Sequence, residues 1–106
     1  MIKVVIFSKD DLLRGFEIRG HSTTSAEDMD GKLVCAAVSS ATILTANTVT
    51  EIIGDNAQVE TDDGYLKLFV DDAEECAVVL NGLHLHLCEL QKEYPNKIKV
   101  IMEVEP

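Results

Sequence analysis

The stretch Leu33-Val34-Cys35-Ala36-Ala37-Val38-Ser39 lies near the start of a long segment that is rich in small residues. Its periodicity predicts a helix from an N-cap at Asp30 to about Ile53, with Gly54 ending it. A thiol near a helix N-terminus is biased toward the thiolate, because the N–H groups and the macrodipole there favour negative charge. Cys35 is therefore a candidate nucleophile.

A histidine directly follows the glycine that closes an apparent β-strand, at Gly20-His21, ahead of a polar loop from Ser22 to Gly31. Within hydrogen-bond reach of Cys35, His21 would take the thiol proton and later return it to a leaving group. The same two residues also fit a packed core thiol and an unrelated loop histidine. The pattern favours a small cysteine hydrolase, of the peptidase kind, with the inert thiol as the alternative.

The rest of the chain predicts a single α+β domain over residues 1–106. Turn signals include Asp62-Asp63-Gly64, and a second helix is expected to open with acidic residues at 71–74 and to stop at Pro95. The order ββαββαβ indicates a mixed or antiparallel sheet with two helices packed on one face, whose exposed face or edge would be a dimer surface. Apolar and β-branched runs predict five strands, at residues 2–7, 13–19, 57–60, 65–70 and 98–104.

Apolar residues at helical spacing mark the face that each helix is expected to bury. In the first helix this stripe is Val34, Ala37, Val38, Ala41, Leu44, Thr45, Thr48 and Ile52. In the second helix it is Cys76, Ala77, Leu80, Leu83, Leu87, Leu90 and Tyr94.

The formal net charge is −10, from 19 acidic and 9 basic residues. Such a chain is repelled by nucleic acid and by anionic membranes, so neither is an expected partner. A basic partner is expected, although acidity also keeps a protein soluble. The nearly uncharged run from Leu33 to Thr50 has too many Ser, Thr and Asn residues for a membrane span. With no targeting segment at the start, we expect a cytoplasmic protein.

The cysteine count is odd, and the three thiols have no framework spacing, so all are expected to be reduced. The segment containing His84, His86 and Cys88 has three side chains that could bind a metal. On a helix, His84 and Cys88 share a face while His86 points away, which makes a poor zinc site. Neither a metal nor another cofactor is predicted.

Over its whole length the chain resembles the ribosomal-processing cysteine proteases, a family of small bacterial proteins. The resemblance is carried by Gly20-His21 and by Lys32 to Ser39, and it continues through residues 81–83, 93–95 and the last strand. It implies that Cys35 is the nucleophile, that His21 is the general base and that the enzyme is a metal-independent homodimer. It also implies that the substrate is the N-terminal extension of the large-subunit ribosomal protein numbered twenty-seven, a basic protein that suits the acidic charge.

Three features depart from the usual family pattern. Ser22 follows the Gly-His pair where Ala is usual, Lys32 stands three residues before the cysteine where Asp is usual, and the loop is slightly longer. Asp30 would replace the missing acid by capping the helix or by orienting His21. Alternatively, Lys32 would help to hold the thiolate of Cys35 by its charge.

The implied mechanism places N–H groups at the helix start around the oxyanion and orders the loop from Ser22 to Gly31 around bound peptide. Ser39, one turn after Cys35, would either hydrogen-bond in the site or only pack. A function from another class is a non-catalytic, acidic homodimeric module that binds a basic ribosomal or assembly partner. A redox-sensing thiol would need a resolving cysteine near Cys35, which the sequence does not indicate.

Overall fold

The computed structural model describes residues 1–21 and 25–106. Its sheet is mixed and has the strand order β3-β4-β2-β1-β5, in which β5 runs parallel to β1 and the other pairs are antiparallel. The α+β class and the order ββαββαβ are therefore confirmed. The elements are β1 (Ile2–Lys9), β2 (Leu12–Arg19), α1 (Met29–Asn47) with a π-helical continuation (Thr48–Ile53), β3 (Gln58–Asp62), β4 (Tyr65–Phe69), α2 (Ala77–Glu93) and β5 (Ile98–Val104).

One face of the sheet is buried by both helices. Val4 and Ile6 on β1 lie opposite Ile18 and Phe16 on β2, and Phe16 lies opposite Leu68 on β4. All five side chains are buried, as the two-residue period of a strand requires for one covered face. They form one hydrophobic cluster with the buried residues of both helices, which places both helices on the same face as predicted.

The opposite face of the sheet carries paired charges and two aromatic rings. Phe7 and Phe69 lie either side of Gly15 in the strand register, and their ring centroids are 4.9 Å apart. A Cβ at Gly15 would come within 2.0 Å of the Leu68 carbonyl oxygen, so this close strand approach requires glycine. Glu17 lies on the same face and bridges to Arg19 at 2.9 Å.

Helix α1 begins earlier than predicted, and its N-cap is Asp28 and not Asp30. The Asp28 Oδ1 atom accepts a hydrogen bond from the Gly31 N–H at 2.9 Å, and its Oδ2 atom pairs with the Lys97 ammonium. Asp30 is the second residue of the helix and is exposed. The pairing with Lys97, 69 residues away, explains why local sequence did not distinguish the two aspartates.

The predicted buried stripe of α1 is wrong at two positions. Leu44 is 67% exposed and Ile52 is 81% exposed, whereas Thr42 and Val49 are buried. The Thr42 hydroxyl donates to the Val38 carbonyl at 2.8 Å, so a polar residue is buried with its hydrogen bond made. Hydrophobicity alone therefore does not identify the buried face of α1, because some of its apolar residues lie on the outer side of the helix.

Helix α2 begins at Ala77, later than the predicted acidic opening. The preceding turn is held by Asp72, whose Oδ1 atom accepts from the Glu75 N–H at 3.1 Å. The Asp55 carboxylate accepts from the N–H groups of Asp71 and Asp72, at 2.8 and 2.9 Å. In these bonds the acidic side chains accept from backbone N–H groups of the turn that precedes the helix. In the predicted stripe, Cys76, Leu80, Leu83 and Leu87 are buried.

Helix α1 and its π-helical continuation form a 25-residue helix, Met29–Ile53, that is long and apolar enough to cross a membrane by length and composition. Its inner face packs on the sheet through Val34, Val38 and Val49, which belong to the common core. Of its most apolar 18-residue stretch, 28% is buried.

We predict that Asp28→Ala lowers the free energy of unfolding by about 1–2 kcal/mol, because it removes an N-cap and an ion pair. Asp30→Ala, which removes an exposed first-turn carboxylate, should cost only a few tenths of a kcal/mol. Urea unfolding of the two variants measures both values. Equal losses would contradict the assignment of Asp28 as the cap.

Candidate active site

A cleft of about 400 Å³ lies between α1 and the β3–β4 hairpin, and both predicted dyad residues line it. His21 comes from the end of β2, and Cys35 comes from α1. The hairpin contributes Asp62, Asp63 and Gly64 to the opposite wall. The fold thus brings a thiol, an imidazole and an acidic turn to one open cavity.

The backbone around His21 is held from two sides. Gly20, at φ +95°, turns the chain out of β2, and its N–H donates to the Gly64 carbonyl at 2.9 Å. The backbone nitrogen of Met1 donates to the His21 carbonyl at 2.7 Å. A side chain at residue 20 would also approach the Met1 carbonyl oxygen to 2.8 Å. Gly20 therefore supports the site by letting the strand end fold against β1 and the hairpin.

Cys35 is the seventh residue of α1 and is half-buried. Ser39 and Ile43 follow it at helical spacing on the same wall of the cleft. With the predicted N-cap at Asp30, Cys35 would be the fifth helical residue, but because Asp28 is the cap the thiol lies two residues farther from the helix N-terminus than predicted. The macrodipole effect falls off within the first turn, and the Gly31 N–H is already bonded to Asp28. Cys35 therefore lies beyond the first turn, whose N–H groups are expected from the sequence to surround the oxyanion.

The other predicted supporting residues separate into two groups. Ser39 lines the cleft with Cys35. Asp30 lies about 140° around the helix from Cys35 and faces Tyr94, whose pKa is raised by the charge of Glu93, by burial and by the charge of Asp30. Asp30 is thus placed to influence Tyr94. Lys32 is exposed on α1 and, like Asp30, is not part of the cleft lining within the described residues.

The β3–β4 hairpin is the part of the site that sequence reasoning did not identify. Its turn signal was recognised, but β3 runs to Asp62, two residues beyond the predicted strand end, so that Asp63 and Gly64 form the tip. The sequence signal that could have placed the hairpin in the site is Gly64, because a glycine in a turn at positive φ lets another residue approach the backbone closely. Here that residue is His21.

The other two thiols lie outside the cleft. Cys76 is fully buried in the core, and burial raises the pKa of its thiol to about 11, with the charges of Asp55, Glu75 and Asp72 adding to the effect. Cys88 is half-buried on α2. All three cysteines are thiols rather than disulfides. Within the described part of the chain, no three His, Cys, Asp or Glu side chains are grouped to hold a metal ion.

The loop from Ser22 to Gly31 that was predicted to order around peptide is described only from Ser25 onward. The Ser25 hydroxyl accepts from the Glu27 N–H at 3.2 Å, and Asp28 then caps α1. Ser22 itself, the departure that follows the Gly-His pair, lies outside the described residues.

The sequence model of the family described as cysteine protease Prp matches residues 1–99 of this chain. This chain belongs to the Prp cysteine protease family. The resemblance expected from the Gly-His and Cys-Ala-Ala-Val-Ser stretches is therefore confirmed, and the protein is a cysteine protease by family. No curated protein sequence matches the chain.

Solved structures share the fold. An essential ribosomal processing protease Prp from S. aureus, in complex with a covalently linked product peptide, is 21% identical with a TM-score of 0.85, over 97% of this chain and 100% of that one. The same protease with a substrate peptide is 19% identical, with the same score and coverage. SMU.848 from Streptococcus mutans is 21% identical with a TM-score of 0.85, over 99% of this chain and 96% of that one. At these identities the likeness establishes the Prp fold.

We predict that stability contributed by the Cys76 thiol is lost between about pH 9 and about pH 11. The folded pKa lies above the unfolded value, so the unfolded chain releases this proton first and is favoured as the pH rises. The stability difference between the native chain and Cys76→Ala should shrink over that range in urea unfolding. A difference that stays constant with pH would contradict a buried neutral thiol.

Proposed function

We propose that this protein is a cysteine endopeptidase that removes the N-terminal extension of a large-subunit ribosomal protein. Cys35 is the nucleophile and His21 is the general base. The observation that carries the proposal is that one cleft is lined by both residues, although 14 positions separate them in the chain. The related S. aureus structures hold a product peptide and a substrate peptide, which supports a peptide-binding role for the corresponding cleft.

The proposed chemistry uses one thiol and one imidazole. His21 accepts the Cys35 proton, and the thiolate attacks the scissile carbonyl to form a tetrahedral intermediate. The protonated imidazole then donates to the leaving amine, and the C–N bond breaks to leave a thioester on Cys35. Water, deprotonated by His21, hydrolyses the thioester and regenerates the thiol. No metal or organic cofactor is required by any of these steps.

The charge of the chain supports a basic substrate. The net charge of −10 attracts a cationic polypeptide and repels nucleic acid and anionic membranes. Asp62 and Asp63 add negative charge at the cleft itself. Ile43 lies on the opposite wall and is 56% exposed, which gives the cleft an apolar contact as well. A basic ribosomal protein with an apolar segment at the cut suits both features.

The test is cleavage of the same organism's extended ribosomal protein by the native chain and by two variants. Cys35→Ala should abolish cleavage, because Cys35 is the one thiol among the described residues that line the cleft. His21→Ala should slow it by about 10²–10⁴-fold, the usual contribution of a positioned general base. Product formation is followed by mass spectrometry, and circular dichroism checks that each variant is folded.

Cys88→Ala is the matched thiol control, since Cys88 is also half-buried but lies on α2 outside the cleft. It should cleave at the native rate. Binding of the substrate without any cleavage by the native chain would overturn the enzyme proposal. The protein would then be the non-catalytic acidic module that holds a basic ribosomal or assembly partner.

We also propose that the protein is a cytoplasmic homodimer that associates through the outer face of its helices. A groove of about 590 Å³ runs between α1 and α2 and is lined mostly by apolar residues, Leu44 and Val79 among them. Leu44 in the groove is 67% exposed, and Val78 and Leu85 on α2 are 87% and 65% exposed. Residues 33–50 carry no charged side chain. Two chains of charge −10 repel each other least where neither presents charge. The occupant is therefore a second copy.

We predict that Leu44→Glu converts the dimer to a monomer of 11.6 kDa, because it places a charge in the apolar interface. Val104→Glu, on an exposed residue of edge strand β5, is the matched control and should leave the dimer intact. Light scattering after size exclusion measures both masses. Dissociation by Val104→Glu alone would place the interface at the sheet edge instead.

A further inference from the structure

The imidazole of His21 lies directly against the backbone of Gly64. An ideal Cβ built at Gly64 would stand 2.7 Å from His21 Nε2, 3.2 Å from Cε1 and 3.3 Å from Cδ2. Real Cβ atoms essentially never approach another heavy atom within 3.0 Å. The space that a side chain would take at residue 64 is thus occupied by the Nε2 end of the ring.

The same glycine also fixes the backbone next to His21. Its carbonyl oxygen accepts a hydrogen bond from the Gly20 N–H at 2.9 Å. Gly64 therefore holds the backbone of the residue before His21 and also lies against the His21 imidazole. Gly64 has φ +63°, which by itself favours glycine but is also open to asparagine. The positive φ and the contact with the imidazole therefore both favour glycine at residue 64.

We propose that Gly64 is a positioning residue for the protease reaction, since its missing side chain lets the His21 imidazole rest on the β3–β4 turn in the orientation that serves Cys35. The proposal rests on the proposed role of His21 as general base. A methyl group at residue 64 forces the ring to rotate or the turn to move. Either change redirects the ring nitrogens relative to Cys35, and proton transfer requires hydrogen-bond geometry.

The matched pair for the test is Gly64→Ala and Gly54→Ala. Gly54 has φ +77°, and a Cβ there meets nothing within 4 Å. Both variants put alanine at positive φ, so both should lower the urea midpoint by similar amounts. Only Gly64→Ala should lower kcat, by about 10²-fold, with KM changed by no more than about twofold. Gly54→Ala should keep the native kcat.

A native kcat in folded Gly64→Ala would overturn the inference, and so would an equal loss of kcat in Gly54→Ala. If Gly64→Ala does not fold, Gly64→Asn takes its place, because asparagine tolerates positive φ while still carrying a Cβ. It should show the same loss of kcat. Combining Gly64→Ala with His21→Ala should add little further loss of kcat, since the ring that the methyl displaces is absent. A full second loss in that background would also overturn the inference.

Alkylation of Cys35 by iodoacetamide near neutral pH separates this inference from the proposed function, because it needs no substrate. His21→Ala and Gly64→Ala should both slow alkylation of Cys35, whereas Gly54→Ala should not. If His21→Ala leaves the rate unchanged, the proposed dyad fails. If His21→Ala slows alkylation but Gly64→Ala does not, the dyad stands and only the role of Gly64 fails.

Discussion

Burial of one face of β1 and β2 is the constraint on which the rest of the molecule depends. Val4 and Ile6 face the helices with Phe16 and Ile18 opposite them, and α1 lies on this surface through Val34. Burial of each of these side chains removes apolar area from water and stabilises the fold by about 1.5–3 kcal/mol. Because Cys35 follows the fully buried Val34, the packing that anchors α1 also directs the thiol to the side of the helix that borders the cleft.

The site is assembled from three elements that are distant in the sequence. The imidazole comes from the end of β2, the thiol from the second turn of α1, and the wall behind the imidazole from the tip of the β3–β4 hairpin. The sheet joins the first and third of these directly, through Gly20 and Gly64. Helix α1 packs on the sheet through the common hydrophobic core. This division places the proposed general base on the backbone at the end of the sheet, and the proposed peptide substrate would enter between the sheet end and the helix.

Charge is distributed unevenly over the surface, and the distribution is consistent with the proposed partners. On the open face of the sheet, Glu17 is paired with Arg19 and Lys67, at 2.9 and 3.9 Å. The outer side of α1 carries no charge over 18 residues, while acidic side chains stand at the cleft. Exposed ion pairs contribute little to stability. The charge pattern therefore matters mainly for the binding of partners. It leaves the helical face for the proposed second copy and the cleft for the proposed cationic peptide.

The sequence by itself determined the element order, a sheet that is either mixed or antiparallel, the common face of the two helices and the family, because strand alternation, helical period and the Gly-His and Cys-Ala-Ala-Val-Ser stretches are local patterns. It also singled out His21 and Cys35. Tertiary structure decided the rest. Asp28 caps α1 in place of Asp30 because Lys97 reaches it from the start of β5. Thr42 is buried in place of Leu44 because its hydroxyl is satisfied within the helix. Gly64 belongs to the site because folding brings it against His21, and contacts between residues that are distant in the chain leave no periodic pattern in the sequence.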